Sequence, residues 1–158
     1  MIEEVRIKIH SVRFEVEASL FADETDGEEF VADREAEPET VEINTFGKLR
    51  REDGRIEVSY EETEVTGMEG STTSVTFLEG QEGIVSMVRE GAVSCVLVFE
   101  AGQRHHCVYN TPFMPFQVCV HTLTVENRLI DEKYISLDYI VEIRGAKAER
   151  TKFRIDIL

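Results

Sequence analysis

The chain has 158 residues, 42% of them hydrophobic and 31% charged, which suits one globular domain with a sizeable core and excludes a chain disordered throughout. Seventeen basic residues stand against 32 acidic ones, a formal net charge of −15; that argues against a nucleic-acid partner, which is bound through cations, and against an anionic membrane surface. No apolar run reaches bilayer length, the opening MIEEVRIKIH lacks the basic start and apolar block of a secretory signal, and three cysteines form no compact framework, so the expectation is a cytoplasmic protein with reduced thiols.

Residues 2 to about 19 read as one long strand. Val5, Ile7 and Ile9 share a face, then Val12, Phe14 and Val16 share one after a slip of one residue; the slip predicts a β-bulge near His10–Ser11. Residues 21–40 differ in composition, with nine acids against the single base Arg34. They read as a solvated acidic loop insertion, with an interaction role as the alternative.

From Thr40 the pattern is strand after strand. Val41, Ile43, Thr45, Gly47 and Leu49 alternate, and Asp53-Gly54 marks a tight hairpin. Thr73, Val75 and Phe77 share a face, Gly80 to Gly83 turns the chain, and Val85, Met87 and Arg89 share the next face. Ala92–Glu100 is nearly all apolar, as a strand covered on both sides would be. Cys107, Tyr109 and Thr111 follow, then a corner between Pro112 and Pro115, then Phe116, Val118, Val120 and Thr122. A polar turn is expected around Glu126–Glu132, and Gly145 begins the last turn. Ile135, Leu137, Tyr139, Val141 and Ile143, and finally Phe153, Ile155 and Ile157, complete the set.

About ten strands joined by short glycine-rich turns, with no stripe of 3.6-residue period, predict an all-β fold: a closed antiparallel up-and-down barrel that removes its own edges.

Arg55–Gly67, RIEVSYEETEVTG, carries the sharpest signal. Ile56, Val58 and Tyr60 mark one face of a half-buried strand, and without a bulge Glu62 and Glu64 continue that face. A buried carboxylate needs a cation, a donor or water. Arg89 and the hydroxyls of Thr73, Tyr109, Thr111 and Thr122 are the inward-facing groups able to meet it. One reading is an internal salt bridge that sets strand register. The other is a ligand site at a barrel mouth, with Arg89 facing a carboxylate or phosphate. A third gives Glu62 and Glu64 divided acid and base roles in a hydrolase.

Tyr60, Glu62, Thr63, Glu64 and Gly67, with Thr72-Thr73, Arg89, Gly91, Tyr109, Thr111 and Pro112, resemble the YwiB-like family of uncharacterised bacterial proteins. The resemblance runs from about Thr45 to the C-terminus, more weakly over the first strand, and leaves out the acidic insertion. It implies a calycin-like, lipocalin-related barrel and no established activity. Met114 stands where the family leads one to expect a glycine.

His105, His106, Cys107, Cys119 and His121 do not fall on one face at ligand spacing, and no phosphate-cradling loop or nucleophile elbow is present, so neither metal nor cofactor is expected. The leading expectation is non-catalytic binding of a small anionic molecule by Glu62, Glu64, Thr73, Arg89, Tyr109, Thr111 and Thr122. The alternative is a packed barrel whose acidic loop meets a basic protein.

Overall fold

The computed structural model describes residues 1–16, 38–143 and 148–158. Most of the acidic segment, and the turn at Gly145, lie outside these residues. Ten strands are described: β1 (Ile2–Val16), β2 (Glu39–Glu52), β3 (Arg55–Glu61), β4 (Ser71–Leu78), β5 (Gln81–Gly91), β6 (Cys95–Glu100), β7 (Arg104–Asn110), β8 (Pro115–Arg128), β9 (Tyr134–Ile143) and β10 (Ala148–Ile157). A 3-10 turn, Glu64–Thr66, follows β3, and one helical turn, α1 (Leu129–Glu132), joins β8 to β9. The expected polar turn is therefore shorter than 126–132, because β8 keeps its ladder with β9 as far as Arg128.

All ten strands form one antiparallel sheet in the order β6-β5-β4-β3-β2-β1-β10-β9-β8-β7. The first and last strands are neighbours, and the sheet curls until β6 and β7 meet. Ser94 and Asn110 exchange backbone hydrogen bonds of 3.0 and 2.8 Å across that seam. The fold is the expected up-and-down antiparallel barrel.

Local chemistry sets the register. Asp53 (φ 51°) and Gly54 (φ 78°) both occupy the left-handed region, as a two-residue hairpin that follows the strand twist requires. Gly47 is needed for another reason: a Cβ there would lie 2.2 Å from Ile7 Cδ1 and 2.4 Å from the Ser59 carbonyl oxygen. The inner face carries Ile7, Val58, Val75, Met87, Leu97, Phe99, Val120, Leu137 and Ile155 in one buried cluster.

Three expectations are corrected. β1 has no bulge at His10–Ser11, because its pairing with β10 is unbroken from Ile7↔Ile157 to Val16↔Ala148. Val12, Phe14 and Val16 instead lie on the outer face, where Phe14 and Val16 join a second cluster with Leu123, Ile140 and Ala148. The apolar phase slips because the buried face changes, and Ser11 and Arg13 stay on the inner side. β6 is covered on one side only, with Cys95, Leu97 and Phe99 buried and Val96 half exposed. The Gly80 turn is tight, with Leu78 paired to Gln81, so Gly83 lies within β5. No helix of the described residues is long and apolar enough to cross a membrane.

Candidate functional site

The apolar face of β5 ends in a charge. Val85 and Met87 are fully buried, and Arg89 follows them inward, paired across the ladder with Thr73 on β4 and Cys95 on β6. Its Nε is shut off from solvent and has no hydrogen-bond partner. Burial alone would pull the Arg89 pKa down; Tyr139, Tyr109, Tyr60 and Cys95, once ionised at alkaline pH, outweigh it, and the net shift is upward. The guanidinium therefore stays charged. Burial drives the pKa values of Tyr139, Tyr109 and Tyr60 upward as well, while Arg89 opposes the rise in each. All three phenols remain neutral donors in the physiological range.

Glu62 lies one residue beyond β3 and is 6% exposed. Thr73 Oγ1 donates to its Oε1 at 2.7 Å, and Thr66 Oγ1 donates to Oε2 at 2.9 Å. The negative charge of Glu62 is also the second largest cause, after burial, of the raised Tyr60 pKa. The expected pairing of Arg89 with Glu62 is not formed: hydroxyl groups satisfy the carboxylate, and among the described residues Arg89 has no ion-pair partner.

Beside Arg89 opens a cavity of about 290 Å³. Arg13, Arg89, Tyr109, Thr111, Tyr139, Glu149 and Thr151 are its polar lining, and Leu97, Phe116, Val118, Val141 and Ile143 its apolar lining. A smaller space of about 60 Å³ shares Arg13, Arg89, Tyr139 and Thr151 with it and reaches Tyr60, Glu62, Thr66 and Met68. A depression of about 340 Å³ also lies near the other barrel end; its cations Arg6, Arg51 and Lys133 are solvent-exposed side chains, as Arg13 is at the Arg89 mouth. The Arg89 mouth is where buried charge, neutral donors and space coincide.

The expected site residues divide. Glu62, Thr73, Arg89 and Tyr109 come together. Glu64 does not, because β3 ends at Glu61 and the chain turns into the 3-10 segment, closed by Gly67 at φ 76°, which leaves Glu64 in solvent. This separates the two carboxylates of the hydrolase reading. Thr111 lines the cavity, yet its hydroxyl is engaged in the β7–β8 turn: it donates to the Met114 carbonyl at 2.8 Å and accepts from the Phe113 and Met114 amides. That turn forms with Met114 where a glycine was expected. Thr122 is fully buried opposite Tyr139 and lines neither mouth cavity.

Arg13, Tyr139 and Thr151 were missed. Uninterrupted alternation from Val5 through Ile9 would have carried Arg13 inward. Tyr139 was read only as part of an apolar face. Burial pushes the Cys107 thiol up to about 11, and no group of three metal-ligating side chains occurs among the described residues.

The sequence profile of a domain of unknown function (DUF1934) matches residues 28–155. The chain belongs to this family. The match extends further towards the N-terminus than the resemblance read from Thr45 onward. The fold is similar to that of the ywiB protein from Bacillus subtilis, with 18% sequence identity, a TM-score of 0.64, and 98% of this chain and 93% of that one covered. No curated protein matches the sequence.

Proposed function

We propose that this DUF1934 protein is a non-catalytic, calycin-like binding protein of the cytoplasm that holds a small anionic molecule in the barrel mouth at Arg89. One observation carries the reading: a half-buried arginine whose Nε is shut off from solvent and unpartnered, beside a cavity of about 290 Å³. An uncompensated buried charge is costly, and such breaks of local consistency concentrate at functional sites. The volume lies near the lower end of the ligand-pocket range, roughly 300–1,000 Å³. It also favours this reading over an interior packed shut.

Glu62, Thr73 and Thr66 act as support. The two hydroxyls engage the Glu62 carboxylate, so the Arg89 guanidinium, which meets the Tyr109 phenol and the Cys95 thiol, keeps its Nε without a partner. Native mass spectrometry of freshly purified protein is the test. An excess mass that disappears on denaturation and is missing from Arg89→Ala is expected, and an excess retained by folded Arg89→Ala would sink the role of Arg89.

A further inference from the structure

We propose that the molecule held at the mouth is a monocarboxylate with an apolar body, seated carboxylate-first against Arg89; this rests on the anion-binding reading above. The charge of the site points to the head group. Among the described residues lining the larger cavity, the charged groups are Arg13, Arg89 and Glu149. Arg13 Nε lies 3.8 Å from Glu149 Oε2, so that pair offsets itself and one positive charge is left over at Arg89. A single negative charge balances it. A doubly charged phosphate would bring a second charge with no second cation that lacks a carboxylate partner among the lining residues. The planar fork of a guanidinium also matches the two oxygens of a carboxylate.

The walls point to the body. Besides Thr111 and the Glu149 that pairs with Arg13, the cavity is bounded by the apolar side chains Leu97, Phe116, Val118, Val141 and Ile143. A compact hydrophilic anion would leave this surface wet. An apolar chain or ring attached to the carboxylate would cover it, and each buried methylene should strengthen binding about fourfold. The neutral phenol of Tyr139 flanks the same end and adds a donor without further charge, while that of Tyr109 donates to Met68 Sδ at 3.5 Å.

Isothermal titration of the full chain with straight-chain monocarboxylates of increasing length, the primary amides of the same lengths, and inorganic phosphate tests this. Affinity is expected to rise about fourfold per methylene until the cavity is full, with each amide at least tenfold weaker than its acid. Arg89→Gln should remove the acid–amide difference while keeping the length dependence. Val141→Phe, which leaves Arg89 in place, should move the preferred length to shorter chains. If acids of all lengths bind alike, or phosphate binds more tightly than any of them, the monocarboxylate proposal falls and the anion site stands. If neither phosphate nor any acid binds the folded wild-type protein, the anion-binding reading falls with it.

Discussion

The interior of the barrel has two levels that obey different rules. Around Met87, Phe99, Val58 and Leu137, side chains are at most 3% exposed and wholly apolar, apart from a thioether. One pleat further along β5, at Arg89, the interior is charged and phenolic and leaves open space. The rings of Phe99 and Tyr139, 4.6 Å apart, join the levels. The same ladder of alternating residues builds both, so the difference lies in side-chain chemistry rather than backbone. The packed level supplies stability, and the polar level, with its open space and unpartnered Nε, supplies less of it.

Substitutions should separate the two levels. The largest effect belongs to the packed one: Met87→Ala is expected to lower unfolding free energy by about 2–5 kcal/mol in urea titration, since a fully buried side chain leaves a cavity. Next comes the support of the mouth. Glu62→Ala strands the buried Thr73 hydroxyl, while Thr66 keeps the Thr63 carbonyl, and should cost about 1.5–3 kcal/mol by the same titration; an unchanged midpoint would show that the network is not structural.

The phenols set an alkaline limit. Tyr60, Tyr109 and Tyr139 all have folded pKa values raised above 10.0. They contribute stability that is fully present below pH 10 and is lost as pH rises from there through the folded values, because the unfolded chain ionises first. Thermal melts across pH 9–11.5 should fall steeply above 10, and less so in Tyr139→Phe. The smallest expected effect is at Arg89 itself. Arg89→Met should leave stability unchanged or raise it by about 1 kcal/mol, because the charge it removes is unpaired. A loss as large as that of Met87→Ala would mean that Arg89 belongs to the packed level.

Most of the fold was legible in the sequence because a half-buried strand writes its two faces into alternate residues and its hairpins into Asp-Gly and glycine turns. β1 was the largest of the exceptions. Val12, Phe14 and Val16 look like a continuation of the inner face, but apolar phase reports burial and not which side is buried. A second cluster outside the barrel buries Phe14 and Val16 just as well. That misreading also hid Arg13. At the site, Glu62, Thr73, Arg89 and Tyr109 could be placed from parity alone. Glu64 could not, since parity ends where the strand does, and nothing in EETEVTG announces that β3 stops at Glu61. The way Glu62 is satisfied was also beyond reach: Thr66, four residues on, folds back to it only because of the 3-10 turn.

The strand order also dictates when the barrel can be completed. β2 to β6 form successive hairpins that can zip up locally, but β1 lies between β2 and β10, with Ile9 opposite both Ile43 and Ile155. Until residues 148–157 have left the ribosome, the first strand therefore keeps one bare edge. Contacts of such high sequence separation make for slow folding, on the scale of milliseconds to seconds. For that interval the nascent chain carries an unguarded β-edge open to its neighbours on a polysome.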